Sequence, residues 1–313
     1  MKRRGHQVVW PANGDGKAEL RRLARCDLVH VYRRCDEETR RVVAELARGG
    51  IAITWDNDDD FTAVPKESAN YRKLGGLAGQ RIFTKMVKVA RRARLMTTTS
   101  ELIAAKYRRA GIERVEVIGN HVPHGTFRPR RRHDGVVIGW VAALEHRADI
   151  AHIPLVDALR RLLAERQDVR VETVGVDLGL PAERYHRVPR TGFRELPKLM
   201  GAWDIGIAPL ADLRHNRARS DIKLKEYAAS GLPWLASPLG PYIGLGEDQG
   251  GLLVADDGWF EALSRLAGHR GERRRLARRA KDWAKHQTID TAADRWERLF
   301  AEAAGGRGPD QRS

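Results

Sequence analysis

The sequence predicts an α/β protein made of two successive doubly wound domains, which would face one another across a cleft. Short runs rich in β-branched residues alternate along the chain with longer amphipathic stretches, which is typical of parallel strands joined by crossover helices. The length of 313 residues is that of two domains of about 150 residues each. A hydrophobic fraction of 42% and a charged fraction of 31% exclude a fibrous or wholly disordered chain. Doubly wound domains bind ligands at the carboxyl ends of their strands, so we expect function in the loops there.

The first domain is expected over residues 1–128. Its strands are predicted at five short runs: His6–Pro11, Asp27–Tyr32, Gly50–Trp55, Arg94–Thr98 and Val115–Gly119. Its helices are predicted at four longer stretches: Ala18–Ala24, Glu37–Arg48, Gln80–Ala93 and Ser100–Ala110. The second of these helices has the clearest pattern, because Val42, Val43 and Leu46 share an apolar face and Gly49 ends the helix.

The second domain is expected over residues 129–303, after a charged stretch at 127–135 with the composition of an interdomain linker. Its strands are predicted at Val136–Val141, Val169–Val174, Tyr185–Val188, Asp204–Pro209, Pro233–Ser237 and Gly251–Ala255. Its helices are predicted at 154–165, 221–230, 257–268, 271–286 and 290–303. Residues 304–313 are expected to form a flexible tail.

The chain is strongly basic, with 57 lysines and arginines against 41 aspartates and glutamates and a formal net charge of +16. An anionic partner is therefore expected. The two cysteines, Cys26 and Cys35, are too few for a disulfide framework and have no metal-ligating neighbours, which favours a reducing cytosol. Only Val8, Val9 and Trp10 stand where a signal peptide needs an apolar stretch. No apolar run approaches the ~20 residues that cross a bilayer. We therefore expect a cytoplasmic protein that contacts membranes, if at all, peripherally at the inner membrane face.

The segment from Asn216 to Ser237 carries the strongest chemical signal. Ser220 is expected to cap a helix over 221–230 at the start of a ligand site. Arg219, Lys223 and Glu226 are spaced i, i+4, i+7 and so share one face near the start of that helix. Two cations beside free backbone N–H groups are suited to a phosphate or diphosphate, and the carboxylate to sugar hydroxyls. On spacing alone, an exposed helix with a Lys–Glu pair is the alternative.

Three segments together resemble one enzyme family. The run Trp203–Tyr242 has a strand that ends in proline, a helix that carries lysine and Glu-Tyr, and then a serine-containing strand. This order resembles the donor domain of the group 1, or family 4, retaining glycosyltransferases, whose GT-B fold consists of two Rossmann-like domains. The segment Ile138–Asp149 is similar to the first loop of that donor domain, and Val117–Pro123 to the family's hinge. The resemblance covers residues 27–303 and is strongest after 136.

The resemblance implies transfer of a sugar from a nucleotide-diphosphate sugar to an unidentified acceptor, with retention and without a cofactor or metal. It implies that Glu226 holds the ribose, while Lys223 and Arg219 hold the diphosphate and stabilise the leaving group. The first loop of the donor domain would supply further donor contacts, at Gly139, His146 and Arg147. The family often has a second acid eight positions before the glutamate, where this chain has Ala218, so the resemblance does not identify the donor sugar.

Four aspartates follow the predicted strand that ends at Trp55: Asp56, Asp58, Asp59 and Asp60. Clustered acids can bind a divalent cation, but the two-domain fold implied by the resemblance needs none for its diphosphate. We therefore expect these residues on the acceptor side, with Asp58 or Asp59 as the proton acceptor and His121 lining the same region. The alternative is an acidic turn that caps the next helix.

Two basic helical clusters are candidates for contact with anionic lipid: Lys85, Lys88, Arg91 and Arg92, and Arg273 to Arg275 with Arg278 and Arg279. The acceptor itself can be anionic or lipid-linked, and solvated basic surface is the alternative. Nucleic acid is disfavoured, because aromatic residues are not interleaved with these clusters.

Two other functions remain open at the level of sequence. One is a GT-B-like nucleotide-sugar epimerase or phosphorylase, and the other is a non-catalytic protein that binds sugar nucleotides or nucleic acid. The first strand and glycine-rich loop of the usual acceptor domain have no counterpart after Met1. Either that domain is truncated or the natural start lies upstream.

Overall fold

The computed structural model describes residues 1–10, 16–129, 133–189 and 191–305. The chain forms two compact units. The first comprises Met1–Thr62, Gly76–Gly119 and the chain from Asp290 onward, and the second comprises Ala63–Gly75 and Asn120–Ile289. Each unit contains a parallel sheet. The α/β class with two parallel sheets that the sequence predicts is confirmed.

Strands and α-helices alternate along both units. The strands are β1 (Leu28–Tyr32), β2 (Ala52–Asp56), β3 (Leu95–Thr98), β4 (Val115–Val117), β5 (Val136–Ala142), β6 (Val169–Gly175), β7 (Tyr185–Val188), β8 (Ile205–Ala208), β9 (Trp234–Ala236) and β10 (Gly251–Leu253). The α-helices are α1 (Gly16–Leu23), α2 (Glu37–Arg48), α3 (Tyr71–Leu74), α4 (Gly76–Ala90), α5 (Glu101–Arg109), α6 (Arg147–His152), α7 (Leu155–Glu165), α8 (Leu196–Gly201), α9 (Arg214–Arg217), α10 (Ile222–Ala229), α11 (Trp259–Gly268), α12 (Arg270–Ala284) and α13 (Ile289–Ala304).

The first unit holds a four-stranded sheet in the order β1-β2-β3-β4. Its register places Asp56, the last residue of β2, between Tyr32 of β1 and Thr97 of β3. Side chains cap two of its helices: Asp36 Oδ1 accepts from Thr39 N at 2.9 Å, and Ser100 Oγ accepts from Ile103 N at 3.4 Å. The ends of β1, β2 and β3 therefore lie side by side where the acidic segment Asp56–Asp60 begins.

The predicted strand at His6–Pro11 is wrong. Residues 2–4 form a 3-10 helix, and residues 6–10 form no strand; Pro11 lies outside the described residues. Val8 and Val9 are the run's two β-branched residues, which is too few to commit a segment to a sheet.

Helix α13 packs on the first sheet, although the expected domain range of 129–303 placed it in the second domain. Leu299 and Ala303 of this helix are buried together with Leu95 of β3 and Ile118, which follows β4. Arg94 Nη1 also donates a hydrogen bond to Ala303 O at 3.1 Å. Helical periodicity shows that a helix has an apolar face but not which sheet covers that face, so the sequence pattern could not assign α13.

The second unit holds a six-stranded sheet in the order β10-β9-β8-β5-β6-β7. From β5 the chain adds β6 and β7 on one side, and it then returns to add β8, β9 and β10 on the other side. The carboxyl ends of β5 and β8 therefore flank a topological switch point, where open α/β sheets bind their ligands.

The boundary between the units lies before the stretch that the sequence suggested as a linker. Phe127 is 5% exposed and packs with Val122 in a hydrophobic core of the second unit. Residues 127–129 therefore belong to a folded unit, and 130–132 lie outside the described residues. Apart from the short excursion Ala63–Gly75 into the second unit, the chain passes between units at Gly119–Asn120 and again at Ile289–Asp290.

Cys26 and Cys35 are both free thiols. Among the helices described, none is long and apolar enough to cross a membrane.

Candidate functional site

A buried histidine–aspartate pair lies at the switch point of the second sheet. Strand β5 ends at Ala142, and a 3-10 helix over Leu144–His146 leads into α6. His146 is 6% exposed and Asp149 is 1% exposed, and His146 Nδ1 lies 2.7 Å from Asp149 Oδ2. Burial lowers the pKa of His146, and the charges of Arg219 and Lys223 add to that shift while Asp149 opposes it. The imidazole is therefore neutral at neutral pH.

Asp149, on α6 after β5, also forms hydrogen bonds with the segment that follows β8. Its second oxygen, Oδ1, accepts from Ala211 N at 2.8 Å and from Asn216 Nδ2 at 2.6 Å. Asn216 is 2% exposed, and its Nδ2 also donates to Ala211 O at 2.9 Å. Sequence reasoning missed Asp149 and Asn216 as site residues. The i, i+3 spacing of His146 and Asp149 directly after a predicted strand could have indicated Asp149 as a partner of His146.

Helix α10 and the segment that precedes it bring the predicted donor-binding side chains to the same region. Lys223 Nζ lies 3.6 Å from Glu226 Oε2, and Arg219 Nη2 lies 3.7 Å from Glu145 Oε1. Glu226 is 8% exposed. Burial raises the pKa of Glu226, and the charge of Lys223 opposes that shift. A buried carboxylate does not fit the alternative of a fully solvated Lys–Glu pair.

Ser220 does not cap this helix. The residue at the N-cap position is Asp221, which makes no capping hydrogen bond. Ser220 Oγ instead accepts from Asn120 Nδ2 at 3.1 Å. Lys225 completes the arrangement, because its Nζ lies 2.9 Å from Asp221 Oδ1 and donates to Asn120 O at 2.9 Å. Ser220 therefore helps to anchor the segment that contains Asn120 to the start of α10.

Gly139 has a packing role in place of the phosphate approach expected from the sequence. It lies in the middle of β5, not in the loop that follows. A Cβ at this position would come within 1.8 Å of the indole ring of Trp203, which is fully buried. The absence of a side chain thus accommodates the tryptophan beneath the sheet.

Two further predicted residues lie in the second unit. Arg147 is exposed at the first residue of α6, next to His146. His121 was expected on the acceptor side, but it belongs to the same compact unit as α10 and not to the unit that contains the aspartates. Its role on the acceptor side stays a prediction.

The aspartates after β2 each have a polar partner within the first unit. Asp56 Oδ2 accepts from Thr97 Oγ1 at 2.5 Å. Arg33 lies 3.3 Å from Asp58 Oδ1 and 2.7 Å from Asp59 Oδ2. Burial and the charge of Asp59 raise the pKa of Asp58, against the charge of Arg33.

Arg33 holds this acidic segment from the end of β1. Its φ of 58° lies in the left-handed region, which costs a non-glycine residue free energy. Its guanidinium also lies over the ring of Phe61, 5.1 Å from the centroid. A strained backbone whose side chain neutralises two carboxylates is typical of a functional segment. Sequence reasoning missed Arg33, because φ cannot be inferred from residue type here.

Asp60 has the capping role that the sequence left as the alternative. Its Oδ1 accepts from Thr62 N at 3.0 Å, at the 3-10 helix Phe61–Ala63, and lies 2.6 Å from Lys106 Nζ. Burial alone would raise the pKa of Asp60, but the hydrogen bonds from Lys106 and Thr62 outweigh it and lower the pKa. Within the part of the chain that the structure describes, no group of three or more histidine, cysteine or acidic side chains is arranged to hold a metal ion.

Part of the second unit is similar to a known family. Residues 135–269 match the family described as glycosyl transferases group 1. The match covers most of the second unit and less than half of the chain. No curated protein matches the sequence.

Solved structures match nearly the whole chain. Alr3699/HepE from Anabaena, in complex with UDP-glucose, is 15% identical, with a TM-score of 0.64 over 92% of this chain and 82% of that chain. Sucrose-phosphate synthase from Thermosynechococcus elongatus is 14% identical, with a TM-score of 0.63 over 92% and 76%. WaaG, a glycosyltransferase involved in lipopolysaccharide biosynthesis, is 16% identical, with a TM-score of 0.60 over 84% and 82%. These likenesses show the GT-B fold, and the family match supports a glycosyltransferase.

Proposed function

We propose that this protein transfers a sugar from a nucleotide-diphosphate sugar, with a UDP-sugar as the first candidate, to an acceptor, with retention and without a metal. One observation carries the proposal. Arg219 and Lys223 lie at the switch point of the second sheet, and their carboxylate contacts of 3.7 and 3.6 Å are longer than hydrogen bonds. Their N–H groups can therefore bind phosphate oxygens. The UDP-glucose complex of HepE supports the choice of donor.

The diphosphate would lie against Arg219 and Lys223 at the start of α10. Two fixed positive charges and the helix N–H groups there stabilise the negative charge that develops on the leaving diphosphate, which is the largest contribution such a site can make. Glu226, buried beside Lys223, would accept hydrogen bonds from the ribose hydroxyls. Retention is proposed from the resemblance of the donor segment to retaining enzymes.

Alanine variants of the donor site test this proposal. Glu226→Ala and Lys223→Ala should each weaken UDP-glucose binding by about 1.5–3 kcal/mol, which is roughly ten- to a hundredfold in Kd. Glu195→Ala and Lys198→Ala are matched controls, because these residues also form an i, i+3 ion pair, at 2.9 Å, but on an exposed part of the same unit. Kd is measured by calorimetry, and the fold is checked by circular dichroism.

Wild-type affinity in both donor-site variants, with the fold intact, would contradict the proposed site. Turnover assays separate the proposed reaction from its alternative. Release of nucleoside diphosphate only when an acceptor is present supports transfer, whereas interconversion of the sugar without an acceptor would indicate an epimerase.

We propose that Asp58 or Asp59, in the first unit, accepts the proton from the hydroxyl group that receives the sugar. The structure supports a group of this kind, since Asp58 is partly buried and its pKa is raised. A carboxylate that shares the Arg33 guanidinium with a second carboxylate can exchange that ion pair for an acceptor hydroxyl. Asp56, two residues before Asp58 at the end of β2, would support the same acceptor, while Asp60 fixes the turn.

We also propose that the first unit contacts an anionic lipid surface, which would suit a lipid-linked acceptor. The proposed contact is the α4 basic face, defined as Arg81, Lys85, Lys88 and Arg92. All four residues are exposed. Arg81, Lys85 and Lys88 are spaced i, i+4, i+7 and form one stripe on α4, and Arg92 lies two residues beyond the end of the helix. No acidic residue occurs between Gly76 and Arg92, and Leu77, one turn before the stripe, is 78% exposed. A basic helix face that ends in an exposed leucine is suited to a headgroup layer.

A further inference from the structure

The proton-accepting nitrogen of His146 is set by the hydrogen bonds behind the ring. Asp149 is almost fully buried, and its Oδ1 accepts two N–H donors, from Ala211 and Asn216. These two bonds occupy Oδ1, and the other oxygen, Oδ2, at 2.7 Å, accepts the Nδ1–H of His146. The ring therefore gains or loses its second proton at Nε2, for which the described residues offer no hydrogen-bond partner.

The charges around His146 come from three segments. Asp149 lies one turn along on α6, and Arg219 and Lys223 act on the ring from the start of α10. Glu145 precedes the histidine and contacts Arg219 at 3.7 Å, while Glu226 contacts Lys223 at 3.6 Å. The ring of Trp140 meets the imidazole edge-on at 5.4 Å between centroids, and the buried Tyr242 hydroxyl interacts with the charges of Asp149 and Arg219.

A bound diphosphate would reverse the balance of charge at Nε2. Without a ligand, two cations face a buried ring, so a second proton on that ring is unfavourable. A diphosphate bound to those cations brings negative charge to the same place, and a protonated ring then lies between the ligand and Asp149. A protonated Nε2–H is also a charge-assisted donor to a phosphate oxygen.

We propose that binding of the nucleotide-diphosphate sugar is coupled to uptake of a proton from solvent at His146 Nε2, and that Asp149 and Asn216 are the positioning residues that make this possible. The inference rests on the proposed function, because it needs a diphosphate at Arg219 and Lys223. In this proposal the binding reaction takes up one proton, and the buried contact between Asp149 and Asn216 helps to hold His146 in the orientation that accepts it. The proton comes from the buffer, while the Nδ1–H stays on His146, hydrogen-bonded to Asp149 Oδ2.

Linkage gives the sign of the pH dependence. The ring holds its proton more tightly in the complex than in the free protein, so the ligand binds more tightly where the complex is protonated. Affinity is therefore highest at low pH and falls as pH rises through the pKa of the ring in the complex. One proton can change Kd by at most tenfold per pH unit, and only between the pKa values of the free and bound states.

Calorimetry with UDP-glucose measures this proton directly. Titrations at pH 7.0 in buffers of different protonation enthalpy give the number of protons taken up per ligand bound. Both phosphates of UDP-glucose are esters that stay ionised near neutral pH, so the ligand itself exchanges no proton. We expect net uptake in the wild type, and a Kd that rises from pH 6.5 to pH 8.5.

Two glutamine variants assign the proton. His146→Gln keeps an N–H donor near the position of Nε2 but cannot titrate, so it should bind UDP-glucose with no proton uptake and a Kd that is flat with pH. His152→Gln is the matched control, because His152 is exposed on the same helix and bonds Ala148 O through Nδ1 at 2.7 Å. It should keep the wild-type uptake.

The outcomes separate this inference from the proposed function. Binding by the wild type without uptake and with a flat pH profile would overturn the inference and leave the donor site standing. Uptake that persists in His146→Gln would assign the proton to another group, with Glu226 the first to examine, and would also overturn it. Failure of the wild type to bind UDP-glucose or any other nucleotide-diphosphate sugar would overturn both. Should His146→Gln fail to fold, the wild-type proton count and pH profile still decide.

Discussion

Asp56→Asn should stabilise the protein at neutral pH. Asp56 is partly buried at the end of β2, where its Oδ2 accepts from Thr97 Oγ1. Burial, opposed by the Thr97 hydrogen bond and reinforced by the charge of Asp58, raises the pKa of Asp56 to about 6. An ordinary aspartate has a pKa of about 3.9. The folded protein therefore holds a charge at pH 7 that its surroundings disfavour.

The raised pKa of Asp56 gives the size of the stabilisation expected for Asp56→Asn. About two pKa units at ~1.36 kcal/mol each correspond to about 3 kcal/mol of unfolding free energy. Because the folded-state pKa is raised, this contribution to stability is complete below the unfolded pKa, near pH 4. The contribution decreases as pH rises to about 6. Above that pH, Asp56 no longer changes the free energy of unfolding as pH rises further. Asparagine resembles the protonated acid and can still accept from Thr97.

Urea unfolding of the wild type and the variant at pH 4, 5, 6 and 7 tests this prediction. We expect equal stability at pH 4 and a difference that grows to about 3 kcal/mol in favour of the variant at pH 7. Glu113→Gln, an exposed carboxyl-to-amide change in the same unit, should show no such difference. A variant that is less stable than the wild type at pH 7, or a difference that does not change with pH, would refute the reasoning. Loss of transfer alongside the gain in stability would place Asp56 in the acceptor site.

The other predictions concern packing, metal, the acceptor side and lipid. Gly139→Ala should destabilise the fold by about 1–3 kcal/mol through overpacking, measured by urea unfolding, whereas Gly192→Ala, with open space around it, should change little. Transfer should survive EDTA, and loss of turnover that Mn²⁺ or Mg²⁺ restores would contradict the metal-free mechanism. Asp58→Asn with Asp59→Asn should depress transfer and leave Kd for UDP-glucose unchanged, and equal weakening of both would refute the acceptor-side role. Charge reversal of the α4 basic face should abolish cosedimentation with phosphatidylglycerol vesicles. The same change at Arg270, Arg274 and Arg278 of α12, the other candidate cluster, should not, because Arg275 and Arg279 there already pair with Glu247.

The sequence predicts those parts of the fold that depend on local pattern. Most of the strands emerge from short β-branched runs, because side-chain spacing and strand propensity act within a few residues. The same holds for α10, where the i, i+3 spacing places Lys223 and Glu226 on one face. Arg219 precedes the helix, and its contact with Glu145 could not be predicted from helical spacing. The packing of α13 on the first sheet depends on which sheet has an apolar face that no other helix covers, and no local sequence pattern contains that information.

The parts of the site that the sequence did not predict are those created by strand order. Asp149 meets Ala211 and Asn216 across separations of 62 and 67 residues, and these residues meet only because β5 and β8 are neighbours at the switch point. Gly139 shows the same limit, since its partner Trp203 is known only once the sheet is assembled. A hydrogen bond buried between two loops fixes both of them, because breaking it would leave unpaired polar groups away from water. The cations that would bind the donor can therefore keep N–H groups free for phosphate, since the shape of the site is held by neutral donors on Asp149.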